Sequence, residues 1–587
     1  MLLMATRGMS AGTACVLPPS GPALITADCV DDKWNNIIID SQSDEISPAA
    51  HRKVAGHFDN TTTHVNIYLP TKAQWRGHFF HYVYPTASEN ADNDTLGFAL
   101  DSGAYLIQIT GTLGYRADAA AAKFSRQVAS KYYGITLHIY GYLFGGSGGS
   151  YQTIGGIENT EGVWDGAVAF IQGVPESNPP TLSVRALVSH VLKHKASSII
   201  DAVRPGGSSD PYAGLTALQA DVFREATSLG VPIESWEDWN WVAGTRSLQL
   251  LNQSYRSVDP SYIDDFWLLP GYEGTEQSEL GDFLRSALVN HTTMIERFIP
   301  AEPSSPATIV LADLPVISDP LGLDFRIYDQ AGSFLGLLWG NLDVESRTVN
   351  LYDASNETTV SALAPGLEVI LDNRLYLAMS LYHRHQLPSR NGFFTFDQFR
   401  DASGKPMYTQ RDVILAEKFA ESSSGGGTHT GNISTKLIIV DNLLDSDAYP
   451  WHAIWYRKQV EDSLGSSFDD NYRLWFNEHA NHDYDVTEVS GPIGTQRVAF
   501  RGTIQYALRE LADWVQNGVL PASNTNYTLS DSQVSVAGTA AERHGIQPVA
   551  KLMVNGAEKA EVAVGEVVSF KVLIEIPMGS SKIVAVE

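Results

Sequence analysis

From residue 64 onward, apolar and polar positions fall into short, strand-length runs. THVNIYLP, GHFFHYVYP and AYLIQIT come first, between residues 63 and 110. ITLHIYGYLF (135–144) and VWDGAVAFIQGVP (163–175) follow. Each is rich in β-branched and aromatic residues, and helix-length segments separate several of them. Strands alternating with helices predict a mostly parallel sheet.

After Pro180 the period changes. LSVRALVSHVLKHK (182–195) and LTALQADVFREATSLG (215–230) repeat apolar positions every three to four residues, as amphipathic helices do. Residues 325–352 read as a short β-meander. The strand pattern resumes at TKLIIV (435–440), and LRELADWVQNG (508–518) reads as the last core helix. This divides the chain into an irregular N-terminal segment (1–60), a core (61–175 and 401–535), an insertion (176–400) and a C-terminal β segment (540–587). The last has NG and VGE turns of immunoglobulin-like texture, but too few strands for a whole sandwich. SSSGGGTHTGN (422–432) reads as a flexible loop.

The sharpest chemical signal is Gly145-Gly146-Ser147-Gly148-Gly149. It closes a strand-like run and opens a stretch that can be helical. Strand, G-x-S-x-G, helix is the nucleophile elbow of α/β-hydrolases: the turn is so tight that the flanking positions need glycine, and it holds the serine hydroxyl clear of the backbone. Ser150 fits less well, because Gln152 stands where glycine is needed. The fold expected is therefore an α/β-hydrolase core, with a large mixed lid insertion and a C-terminal immunoglobulin-like β segment. The stretch from Ser147 to Asp445 far exceeds what two or three βα units need at roughly 30 residues each. The excess is expected to form a lid over Ser147.

A serine hydroxyl needs a base, and the base needs a carboxylate to fix its tautomer. In this fold the order is Ser, acid, His. KLIIVDNLLDSDAYP offers Asp441, Asp445 and Asp447; Asp445 has the best spacing from the strand end. RLWFNEHANHDYD offers His479 and His482; His482, farther beyond the strand, is preferred. The oxyanion donors expected are the N–H of Gly148 and that of Thr86 or Ala87, since Pro85 has none.

These pieces resemble the tannase and feruloyl-esterase family of α/β-hydrolases. WRGHFF is similar to its W-N-G-R-F entry, GGSGGSYQT to its elbow and VWDGAVAF to its D-F-D-G-I-V-A-G segment. STKLIIVDNLLD is similar to G-K-L-I-x-Y-H-G-x-x-D, which implies Asp445 as the acid. YRLWFNEHANH is similar to Y-R-L-F-x-V-P-G-M-x-H, which implies His482 as the base. LADWVQNGVLP is similar to A-L-x-D-W-V-E-x-G-x-A-P. The family's cysteines before Ser and after His are Gly146 and Asp483 here, and its aspartate-rich calcium loop is not evident. Gallate or ferulate specificity therefore does not carry over.

Composition narrows the partners. A formal net charge of −27 argues against nucleic acid and anionic membranes. No apolar run reaches the ~18 residues of a membrane span. The partner expected is a small molecule; neither a cofactor nor a metal is called for, and the oligomeric state is left open. His383 and His385 would share a face if LYHRHQL were a strand, as metal ligands might, but no third ligand is signalled. Cys15 and Cys29 are either bonded or free. Seven sequons (Asn60, Asn93, Asn252, Asn290, Asn356, Asn432, Asn526) and the acidity point to a secreted or vesicular glycoprotein, although the first residues make no convincing signal peptide.

Trp236, Trp239 and Trp241 are either lid core or an aromatic wall for substrate. The function expected is a serine hydrolase cleaving an ester or lactone of a medium-sized, apolar or aromatic substrate. The same residues could serve amide or β-diketone C–C cleavage. A non-catalytic binding protein on a decayed core is the contrasting class.

Overall fold

The structure, a computed structural model, describes residues 12–577 except 113, 178–179, 245–251, 303–304, 318–319, 321, 353–354, 413–414, 416, 419–423, 426–427 and 484–491. The first residues, with their signal-peptide question, and much of the 422–432 loop lie outside it. The chain divides into two units. One holds the described residues up to Pro175, Gly230–Ser235 and those after Leu415; the other is Glu176–Leu229 and Trp236–Leu415.

The first unit is built on a nine-stranded sheet. Its strands are β1 Ile37–Glu45, β2 His51–Phe58, β3 His64–Pro70, β4 His78–Tyr82, β5 Ala104–Ile109, β6 Tyr140–Ser147, β7 Gly166–Gln172, β8 Lys436–Asn442 and β9 Tyr472–Asn477. Across the sheet they run β9-β8-β7-β6-β4-β5-β3-β2-β1. The pairs from β9 to β5 are parallel; β5–β3, β3–β2 and β2–β1 are antiparallel. From β2 to β9 this is the strand order of an α/β-hydrolase, with β1 added at one edge.

Burial explains the apolar runs. Every residue of β5, β7 and β9 is buried, because helices cover both faces of a parallel sheet. The helices include α1 Asn93–Asp101, α2 Arg116–Tyr133, α3 Gly148–Glu158, α4 Pro450–Leu464 and α5 Arg501–Asn517. Asp92 caps α1 by accepting the N–H of Thr95, and α2 and α5 end on left-handed Gly134 and Gly518. Trp514 and Leu511 of α5 pack with Val168, Phe170, Ile438, Val440 and Trp475 in one core.

Two expectations fail here. Residues 1–60 are not irregular throughout, since β1 and β2 form an antiparallel pair extending the sheet. As an edge strand β1 (IIIDSQSDE) is largely exposed, so its polar half hides the strand signal. The C-terminal segment is no sandwich among the described residues. It holds one strand pair, Val549–Val554 with Phe570–Glu575, and a separate pair, Tyr527–Ser530 with Gln533–Val536, precedes it. Phe570, Val572 and Leu573 of the C-terminal pair are exposed.

A disulfide joins Cys15 and Cys29. Among the described residues no helix is long and apolar enough to cross a membrane. Of the seven sequon asparagines, Asn252 alone is buried, and it donates to Asp324.

The second unit starts helical (Pro180–Leu192, Ala196–Val203, Ala217–Leu229) and continues into a seven-stranded antiparallel sheet. The expected meander supplies four of its strands, Asp324–Tyr328, Phe334–Leu338, Gly340–Asp343 and Thr348–Leu351. Asn290–Ile299, Thr308–Leu311 and Glu368–Asp372 complete it. LYHRHQL is not a strand: Tyr382–Arg384 is a 3₁₀ turn. There His383 is hydrogen-bonded to Ser183 and Glu225, and His385 to the Thr409 carbonyl, so each ring already has a protein partner.

Candidate active site

Strand β6 runs straight into α3, and Ser147 stands at the junction with φ 52° and ψ −119°. A non-glycine residue is rarely found there, and neighbouring structure must hold it. The close packing is visible at the glycines. A Cβ on Gly145 would lie 2.4 Å from the Val83 carbonyl oxygen, and one on Gly149 would lie 2.2 Å from the same atom. On Gly146 it would meet the Phe170 ring at 2.1 Å.

Side chains of α3 fasten the turn. Ser150 Oγ donates to the Ser147 carbonyl and accepts the N–H of Gly173. Gln152 donates to the carbonyls of Thr112 and Gly114, and the Tyr151 hydroxyl to that of Val174. Ser150 and Gln152 thus serve the elbow as braces.

Two loops at the carboxyl edge of the sheet meet Ser147. His482, on the loop after β9, has Nε2 3.0 Å from Ser147 Oγ. Its Nδ1 lies 2.8 Å from Asp445 Oδ2, on the loop after β8. Facing a carboxylate, Nδ1 carries the proton, which leaves Nε2 to accept from the serine hydroxyl. Asp445 is fully buried, and its Oδ1 accepts the N–H groups of Asp447 and Ala448 at 2.8 Å each. Asp445, Asp447 and His482 also bring ligand atoms within 4.8 Å of one another, a grouping a cation could use. Asp445 and His482 already bond each other in it.

Sequence reasoning missed the asparagines that tie these loops together. Asn477 donates to Asn442, and Asn442 donates to the Asn481 carbonyl. The Leu444 N–H bonds the Ala480 carbonyl, so acid loop and histidine loop are joined on both sides. Two asparagines ending adjacent strands in register were the available signal.

The other candidates stand elsewhere. His479 is exposed, has φ 59°, and meets the 498 N–H through its carbonyl. Asp441 is fully buried on β8, and burial followed by the charge of Asp445 pushes its carboxyl well above the usual range. The Ala87 N–H donates to the Tyr84 carbonyl, closing a turn. Among the described residues the Thr86 N–H has no such backbone partner, and Gly148, first in α3, has an N–H without an intrahelical acceptor. A Cβ on Gly148 would touch Pro85 at 3.1 Å, so the two segments adjoin. In the second unit Trp236 is fully buried against Phe223 and Trp239, whereas Trp239 and Trp241 are half-buried.

No family model matches this chain, and no curated protein does. Solved structures similar to it include tannin acyl hydrolase from Aspergillus niger, at 13% identity over 91% of this chain and 89% of that one, with a TM-score of 0.33. Feruloyl esterase B from Aspergillus oryzae is similar at 13% identity over 91% and 92%, with a TM-score of 0.34. Lipase A of Candida antarctica in its closed state is similar at 11% identity over 76% and 77%, with a TM-score of 0.28. It is the strand order and the elbow, not these likenesses, that define the α/β-hydrolase fold of this chain.

Proposed function

We propose that this protein is a serine hydrolase of carboxylic esters or lactones. The observation that carries the reading is the run of hydrogen bonds from Ser147 Oγ through His482 to Asp445, at 3.0 and 2.8 Å. Ser147 attacks the carbonyl carbon as His482 Nε2 takes its proton. Asp445 orients the ring and stabilises the imidazolium. The N–H groups of Gly148 and Thr86 hold the oxyanion. His482 then protonates the leaving alkoxide, which departs and leaves an acyl-serine. Water, deprotonated by the same nitrogen, attacks that ester, releasing the acid and restoring Ser147.

The substrate we assign has a medium-sized apolar or aromatic part. Support comes from Tyr84, whose ring would lie 3.6 Å from a Cβ on Gly148, and from the chain's aromatic fraction of 10%. Amide and C–C substrates would use the same residues and are arms of the test. The Cys15–Cys29 disulfide supports a secreted or vesicular setting.

A panel of aryl esters, short-acyl esters, lactones, amides and β-diketones tests the reading. The wild type should turn over esters or lactones. Ser147→Ala and His482→Ala should each lose about 10³-fold or more in kcat, as loss of a triad member does. His479→Ala should keep most activity. Undiminished hydrolysis by Ser147→Ala would refute the assignment.

A further inference from the structure

A second acid stands behind the first and has no part in the reaction above. Asp441 lies next to the end of β8 and is completely buried. Its carboxyl accepts the N–H of Asn442 and a further hydrogen bond from the Gln172 backbone. The residue adjoins Asp445 and the backbone of Gln172, which pairs in register with Ser147. Gln172 is itself buried, and among the described residues neither end of its amide is bonded. His452, in the first turn of α4, is hydrogen-bonded to the same backbone.

A buried carboxylate without a counter-ion costs far more than a neutral acid in the same place. The titratable groups facing Asp441 are Asp445 from the following loop and Tyr472 on β9, while His452 on α4 shares the Gln172 backbone with it. None supplies a cation, since burial lowers His452 to about 3.

The geometry points to Asp441 as a positioning residue, a neutral carboxylic acid whose proton leaves Asp445 the sole negative charge behind His482. This rests on the reading of Ser147, His482 and Asp445 above. When Asp441 loses its proton, a like charge appears against Asp445. The acid loop is then repelled, and the hydrogen bond that aims His482 weakens. Activity falls on the alkaline side with loss of one proton. Stability follows the same sign. The folded chain binds this proton more tightly than the unfolded chain, so stability contributed here is full below the ordinary carboxylate value and is lost as pH rises above it.

The test measures kcat/KM on an ester and thermal unfolding, from about pH 5 to pH 9, for wild type, Asp441→Asn and Ser147→Ala. Asparagine has the same shape and cannot ionise. The wild type should lose kcat/KM reversibly on the alkaline side, about tenfold per pH unit above the midpoint. Asp441→Asn should lack that loss, and its melting temperature should exceed that of wild type by a margin that widens with pH. The same alkaline loss in both proteins, no such loss in wild type, or a melting difference that fails to widen would overturn the proposal. Ser147→Ala keeps the two readings apart. Activity in that variant would sink the assignment of the nucleophile, while the melting series would still judge Asp441.

Discussion

At Ser147 a backbone cost coincides with the chemical role proposed for it. The residue holds φ 52° because glycines on both sides let the chain close around the Val83 carbonyl. A methyl group at position 149 would meet that oxygen at 2.2 Å, and backbone cannot step aside as a side chain can. Gly149→Ala should therefore cost about 1–3 kcal/mol of stability, in the range of overpacked interiors. Turnover should fall further than stability does, because the shift moves Ser147 Oγ relative to His482. Thermal unfolding and kcat on the same preparation check this; full activity with unchanged stability would contradict it. Ser147, His482 and Asp445 were legible in sequence because spacing from a strand end is a local property. That Asp441 is buried beside Asp445 was not, since β7, which pairs with its strand, is far away in the chain.

Among elements, the buried parallel strands were the easiest to read. β5, β7 and β8 lie in largely apolar runs, and the helix ending at Gly518 matches its period. The elbow strand begins later than its apolar run, at Tyr140 rather than 135. The misses share a cause. β1 is polar on its exposed side, and Asn290–Ile299 alternates too weakly to stand out, with most of its residues exposed. LYHRHQL had strand composition but was drawn into a turn by Ser183 and Glu225, both distant in sequence. Pairing partners, not propensity, decided each of these.

For the whole molecule, acidity and burial set the pH range of stability. Burial lowers His78 to about 4, and His385 and His452 to about 3, from 6.5. The folded chain thus binds these protons less readily than the unfolded one. Their contribution is intact above pH 6.5 and is lost as pH falls toward 3–4. Melting temperature should drop steadily below pH 6.5; a flat profile between pH 7 and 4 would contradict this. The central claim, that one serine of this fold is an activated nucleophile, is tested most directly by a fluorophosphonate probe with mass mapping of the product. A single adduct is expected on the Ser147 peptide, absent from Ser147→Ala and from His482→Ala. An unlabelled protein, or an adduct at another serine with Ser147 untouched, would contradict it.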